Sequence, residues 1–223
     1  MEEKVFLSNF DNGYPCKPAI IALNADSDIV WKYRMTSSVR WNIAYENGVI
    51  YAKDDIGTVH AVSAKDGAPI WNRALAEENS TESMGGLRVQ NGEIYVSTNK
   101  RAFILDAKNG DIVSEIEYND PAVTTTVAPV PFGNKVLWGK HWQGLICFDR
   151  KSGEMLWYNK DVIDFQAEPI TVGDLIYAPT RYRIVKFDKD GNILAESERK
   201  SEKFFNSTST PLYYKDRLFV PTT

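Results

Sequence analysis

Apolar residues come in short runs along this chain, each cut off by a turn, and the same order of runs and turns keeps returning. A turn containing Gly or Asn leads into a β-rich run ending in an aromatic residue at Asn47-Gly48-Val49-Ile50-Tyr51 and at Asn91-Gly92-Glu93-Ile94-Tyr95. It returns as Gly133-Asn134-Lys135-Val136-Leu137-Trp138, as Gly173-Asp174-Leu175-Ile176-Tyr177, and last as Lys215-Asp216-Arg217-Leu218-Phe219. The turns at 48, 92, 133, 173 and 216 stand 40 to 44 residues apart. A period in this range marks a repeat architecture with one supersecondary unit per period.

Each copy is followed by an apolar strand, a turn and another strand. Val62-Ser63-Ala64-Lys65-Asp66-Gly67 runs on to Ile70-Trp71, and Leu105-Asp106-Ala107-Lys108-Asn109-Gly110 to Ile112-Val113. Phe148-Asp149-Arg150-Lys151-Ser152-Gly153 runs on to Leu156-Trp157, and Phe187-Asp188-Lys189-Asp190-Gly191 to Ile193-Leu194. A shorter version, Leu23-Asn24-Ala25-Asp26-Ser27, leads to Ile29-Val30-Trp31. Asp-Gly, Asn-Gly and Ser-Gly between apolar runs are tight-turn signals, because Gly accepts positive φ without a Cβ penalty. A third element precedes each glycine turn: Ala128-Pro129-Val130, Glu168-Pro169-Ile170 and Thr210-Pro211-Leu212, with Trp41-Asn42-Ile43 and Met84-Gly85-Gly86-Leu87 in the earlier repeats. Pro lacks an amide donor and belongs at a strand start or a sheet edge, which suits an innermost strand.

The unit is therefore four short strands: inner, second, third and outer. A radial array of such sheets is a β-propeller. The only helix-friendly patch, Ala74 to Glu78, is far shorter than a persuasive helix, so the class is all-β. Residues 1–223 read as one domain of about five repeats. A partial first blade covers 4–33, full blades cover about 40–74, 84–117, 125–159 and 166–197, and a partial last blade covers 208–223. The first strand, Val5-Phe6-Leu7, reads as a second strand, and the chain stops in mid-blade at Thr223. An arc of a larger propeller is expected ahead of a closed five-bladed ring in which the last inner strand completes the first sheet. An open arc leaves blade edges exposed for self-association.

Composition narrows the function classes. A net charge of −4 lacks the basic footprint of a nucleic-acid binder. No segment reaches the roughly 18 to 20 apolar residues of a membrane span. The opening Met1-Glu2-Glu3-Lys4 lacks the basic-then-apolar pattern of a secretory leader. Cys16 and Cys147 lie three repeats apart, so small buried side chains are expected rather than a disulfide framework.

The order of an Asp or Ser, a turn Gly four residues before a Trp, and an apolar pair between resembles the PQQ-like β-propeller repeat. The matching stretches are Ser63 to Trp71, Asp149 to Trp157 and, one residue shorter, Asn24 to Trp31. The strands at Gly92 and Gly173 match the second strand of the same repeat, and the resemblance covers almost the whole chain. Ser114 and Ala195 depart from the pattern, standing where Trp is expected, so aromatic docking between blades should be incomplete there. The resemblance implies quinone-dependent alcohol dehydrogenases, a scaffold for outer-membrane protein assembly, or propellers fused to phosphoesterases or kinases. It also implies a periplasmic or bacterial cell-surface setting if the N-terminus is truncated. Fold alone does not choose among them. The dehydrogenases, as the resemblance implies, use adjacent cysteines and an acidic calcium site. No such set can be matched here, so neither catalytic residues nor a cofactor are assigned.

Other chemical candidates reduce to structural roles. Asp188-Lys189-Asp190-Gly191 lacks the acids an EF-hand needs at its first and twelfth positions, where Lys186 and Ser197 stand. His60 and His141 are the only histidines, too few for a zinc cluster, and no metal is assigned. Asp54-Asp55 and Glu77-Glu78 read as solvated loop charges. Trp31, Trp71 and Trp157 share one repeat position and should fill the gaps between sheets, while Trp41 should open an inner strand beside the axis. The loops after the second strands share one face, and three of the four are basic: Thr98-Asn99-Lys100-Arg101, Lys140-His141-Trp142-Gln143 and Thr180-Arg181-Tyr182-Arg183. Lys100, Arg101, Lys140, His141, Trp142, Arg181, Tyr182 and Arg183, with Trp41, form a candidate rim for a protein partner or an anionic glycan. A non-catalytic binding module within a larger polypeptide is the expected function. The alternatives are an accessory propeller of an enzyme such as a metallophosphoesterase and, further off, a PQQ-dependent oxidoreductase.

Overall fold

The computed structural model describes residues 4–8, 17–75, 85–98, 101–117, 127–140, 144–162, 165, 167–180, 183–197 and 210–221. Every regular element among them is a strand. The first sheet holds β1 (Val5–Ser8), β2 (Ala19–Leu23) and β3 (Ile29–Arg34). The second holds β4 (Ile43–Glu46), β5 (Val49–Lys53), β6 (Thr58–Ser63) and β7 (Pro69–Ala74), and the third holds β8 (Leu87–Gln90), β9 (Glu93–Ser97), β10 (Arg101–Asp106) and β11 (Ile112–Glu117). The fourth holds β12 (Val130–Phe132), β13 (Lys135–Lys140), β14 (Gly144–Asp149) and β15 (Met155–Asn159). The fifth holds β16 (Ile170–Val172), β17 (Leu175–Pro179), β18 (Ile184–Phe187) and β19 (Ile193–Glu196), and the sixth only β20 (Leu212–Tyr214) and β21 (Arg217–Phe219). Each sheet is an antiparallel meander in chain order, and the second to fifth are the four-stranded propeller unit expected from the repeat. Among the described residues β1 pairs only with β2, and β20 only with β21. Among the described residues the last inner strand is therefore not paired with the first sheet.

Local chemistry sets the turns. Asn47 and Gly48 both take positive φ, as do Asn91 and Gly92, which is the two-residue hairpin turn whose twist matches the flanking strands. Pro129, Pro169 and Pro211 sit one residue before β12, β16 and β20, where no ladder amide is needed.

Among the described residues the buried core forms four clusters, each shared by two neighbouring sheets of the first five. Ile50 packs with Ile20, Ala22 and Trp31 of the first sheet, whereas the adjacent Tyr51 packs with Leu87, Ile94 and Phe103 of the third. Alternate residues of β5 thus serve opposite seams, and both faces are buried. The second and third strands of a blade consequently read as nearly unbroken apolar runs, while the outer strands alternate.

The outer strands carry a repeated irregularity. In each of the first five sheets the pairing of the third strand with the outer one slips by one residue, at Val30, Ile70, Val113, Leu156 and Leu194. A bulge of this kind bends an edge strand and discourages edge-to-edge pairing. The next residue turns inward, where Trp31, Trp71 and Trp157 pair opposite Ala22, Ala61 and Cys147. Each indole N–H donates to a carbonyl of the next sheet's hairpin: Ala64 at 3.3 Å, Ala107 at 3.1 Å and Lys189 at 3.2 Å. The ring lies on that hairpin's glycine. A Cβ on Gly67, Gly110 or Gly191 would come within 2.6, 2.7 or 2.6 Å of the indole.

The Ser114 seam is filled differently. Ser114 pairs opposite Ile104, so the small and large members of the pair have changed places. Ile104 packs with Trp138, Ile146 and Phe148 of the fourth sheet, and Trp138 is fully buried. No indole docks from β11 at this seam, and the bulk missing there is supplied by β10 and β13. Arg150 stands where the other hairpins have Ala64 and Ala107, and it forms an ion pair with Glu93, which also accepts the Tyr95 hydroxyl at 2.6 Å.

Two glycine substitutions separate backbone strain from seam packing. Gly92→Ala meets open space at φ +78° and should lose about 1–2 kcal/mol, the left-handed backbone penalty. Gly110→Ala, at φ +74°, drives a methyl into Trp71 as well and should lose about 1–3 kcal/mol more. Equilibrium denaturation of the two variants measures the difference.

Candidate functional site at the loop face

The second strand of each full blade ends at one face in a buried polar position. Aligned on the preceding turn, the residues are Asp54, Thr98, Lys140 and Thr180, with exposures of 0, 9, 0 and 3%. Three of them clasp the loop to the third strand. Thr98 Oγ1 accepts the Arg101 amide at 3.3 Å and Thr180 Oγ1 accepts the Arg183 amide at 3.2 Å. Asp54 Oδ1 accepts the Thr58 amide at 2.8 Å in the same way. The expectation that Asp54 is a solvated loop charge is therefore corrected: its carboxylate closes the loop and is sealed in. Its other oxygen lies 3.1 Å from His60 Nε2, and His60 Nδ1 lies 3.2 Å from the Tyr33 hydroxyl of the first sheet. The only sequence signal for this role was the alignment of Asp54 with Thr98 and Thr180.

Lys140 breaks the pattern. Read as a rim cation, it is instead fully buried, with its ammonium 4.8 Å over the Trp138 ring. It ends β13 rather than entering the loop, and a strand end wedged between sheets gives its long side chain no route to solvent. Lys53, one residue before Asp54, is also buried, and desolvation lowers its pKa to about 8 even though Asp54 and Asp55 oppose the shift.

Arg101 and Arg183 occupy equivalent positions and make equivalent ion pairs. Arg101 meets Glu115 at 3.1 Å and Arg183 meets Glu196 at 3.0 Å, each within its own sheet and each partly exposed. Trp41 precedes β4 and is half-buried, with an indole nitrogen that is sealed from solvent and finds no hydrogen-bond partner among the described residues. Lys100, His141, Trp142, Arg181 and Tyr182 lie outside the described residues, as do Cys16, Glu77 and Glu78. The structure thus places Arg101, Arg183 and Trp41 at or near this face, and removes Lys140 from its surface.

Near the axis, side chains tie the inner strands together. Asn42 brackets Leu87 of the third sheet, its Nδ2 donating to the Leu87 carbonyl at 2.7 Å and its Oδ1 accepting the amide at 3.4 Å. Arg88 on β8 forms an ion pair with Glu168, just before β16, and so joins the third sheet to the fifth past the fourth. Contacts separated this far in sequence are invisible to repeat reading. Among the described residues no three His, Cys, Asp or Glu side chains are grouped to hold a metal, and no helix is long and apolar enough to cross a membrane.

Lys53 has a folded-state pKa below its unfolded value. The unfolded chain therefore binds more protons between about pH 8 and 10.5, and the Lys53 contribution to stability rises with pH across that window. Lys53→Met should be more stable than the parent at pH 7 by up to about 3 kcal/mol, and the gap should close by pH 10.5. Denaturant titrations of both proteins from pH 7 to 10.5 isolate Lys53 from Tyr95 and Cys147, whose folded pKa values burial raises to about 12 in both.

The family model described as outer membrane protein assembly factor BamB matches residues 17–113 and 104–223. Outer membrane protein assembly factor BamB of Escherichia coli (strain K12) is 30% identical over 91 residues, which cover 38% of this chain and 23% of that protein. The match thus spans less than a quarter of the curated relative's length. The crystal structure of BamB from Moraxella catarrhalis is similar with a TM-score of 0.55 at 15% identity, over 92% of this chain and 76% of that one. Quinohemoprotein alcohol dehydrogenase ADHIIG from Pseudomonas putida HK5 aligns with a TM-score of 0.64 at 16% identity, over 81% of this chain and 39% of that one. At these identities the likeness to solved structures is one of fold.

Proposed function

The chain belongs to the family of the outer membrane protein assembly factor BamB, and from that membership we propose that it is a non-catalytic propeller scaffold whose loop face binds a protein partner. The observation that carries this reading is the repeated pairing of Arg101 with Glu115 and of Arg183 with Glu196. These pairs hold two guanidinium groups in register on the third and fifth sheets while leaving each partly open. A rim of alternating, pre-oriented charges suits a protein surface, where complementary charges set register and on-rate. It suits an anionic glycan less well, because a carboxylate stands beside each described cation. Lys100 and Arg181 neighbour these two arginines in sequence and extend the rim. Lys140 is not part of it.

Cross-linking in the source cell followed by affinity capture should recover a partner with the unaltered chain. Binding of that purified partner should weaken tenfold or more, about 1.4 kcal/mol, when Arg101 and Arg183 are both changed to Glu. Arg101→Lys with Arg183→Lys should retain most of it. A recovered partner whose affinity is unchanged by the double charge reversal would rule out the loop-face rim.

A further inference from the structure

Every internal seam joins two unlike halves. Toward the following sheet, a sheet offers the third residue after its inner turn: Tyr51, Tyr95 and Leu137, all at most 4% exposed. Toward the preceding sheet it offers the residue before that one: Ile50, Ile94, Val136 and Ile176, all at most 1% exposed. Strand register carries both positions into the two end sheets. Val5 pairs opposite Leu23 as Ile50 does opposite Val62, each where the outer strand slips. Val5 and Leu7 of the first sheet are therefore the counterparts of Ile50 and Ala52, yet they are 55 and 47% exposed. Tyr214 pairs with Arg217 across its turn as Glu46 does with Val49. Phe219 and Leu212 of the sixth sheet are thus the counterparts of Tyr51 and Ala44, and they are 50 and 63% exposed. The first sheet bares one half of a seam and the sixth bares the other, so the two do not cover each other within the chain.

We infer that a second copy of this chain covers these faces, the sixth sheet of one copy packing on the first sheet of the next, head to tail. Continuity with the internal seams selects the occupant, because a second copy brings to each bare face the unlike half that its siblings meet. Charge agrees. Lys135, two residues before Leu137, reaches the next sheet's hairpin, where its ammonium donates to the Lys189 carbonyl at 2.9 Å and lies 3.7 Å from Asp190. Arg217 holds the place of Lys135 in the sixth sheet, and Asp26 holds the place of Asp190 in the first, since Asn24 organises its turn as Asp188 does. Both are exposed. Ser27 takes positive φ where the fifth hairpin has Gly191, which lies under an indole. That face therefore suits a neighbour that brings no tryptophan, and β20 and β21 carry none. Unlike halves make a heterologous contact, which can repeat from copy to copy.

Sedimentation of the full chain tests this. Its mass should rise with concentration. Leu7→Glu and Phe219→Glu should each weaken association at least tenfold, while a mixture of the two variants should form a dimer and nothing larger, since each retains one working half. Arg217→Asp and Asp26→Arg should each weaken association about two- to fivefold, and their combination should restore it. All four substitutions fall at exposed positions, and Val5→Lys with Leu212→Lys repeats the mixing test should either glutamate variant fail to fold. The inference is overturned by a mass that stays monomeric from about 1 μM to 1 mM. It is equally overturned by association that survives both glutamate variants, by a mixture that stays monomeric, or by a charge swap weaker than either single change. None of these outcomes bears on the loop-face reading, which uses other residues.

Discussion

Everything in this architecture rests on the contact between neighbouring sheets, and in most seams that contact is one indole laid on one glycine. A four-stranded sheet this small cannot bury both faces by itself, so each depends on the next. The bulge in each outer strand turns the ring inward, the small residue opposite makes room for it, and the hairpin glycine lets it settle flat. The hydrogen bond from the indole to the hairpin carbonyl then fixes its depth. Trp71 shows all four parts together, with Ile70 bulged, Ala61 opposite, Gly110 beneath and the Ala107 carbonyl as acceptor.

The Ser114 seam shows that the requirement is for volume rather than for a tryptophan at one position. Ile104 opposite Ser114 and Trp138 from the next sheet restore the interior packing, and the Arg150–Glu93 ion pair bridges the two sheets beside it. The seam between the fifth and sixth sheets has Ala195 opposite Lys186, and there the contact is a stacked pair, Tyr177 with Tyr213, whose ring centres are 6.3 Å apart. Departures from the repeat in the sequence thus mark places where the packing is solved by other residues.

The fold was legible because its determinants are local and periodic. Gly and Asn at turns, Pro before inner strands and an apolar pair before each Trp all recur at a fixed offset. The candidate site was less so, because its determinants are not local. Asp54 looks like one of two loop acids until the third strand returns beside it, and burial of Lys140 depends on where β13 ends. The Arg88–Glu168 pair joins residues 80 positions apart. Function followed the same division: the family is readable from the repeat, while the proposed partner surface rests on ion pairs between strands, Arg101 with Glu115 and Arg183 with Glu196, that the repeated phrases do not show.

The direct test of seam packing is a double-mutant cycle on Ile104 and Ser114. Ser114→Trp alone should destabilise by about 1–3 kcal/mol through overpacking against Ile104, and Ile104→Ala alone by about 2–5 kcal/mol through a cavity. Combined, they recreate the Trp–Ala pairing of the second sheet, and the account expects the double variant to recover at least about 1 kcal/mol relative to the sum of the two. Strict additivity in equilibrium unfolding would contradict the claim that the large and small members of each seam are matched to one another.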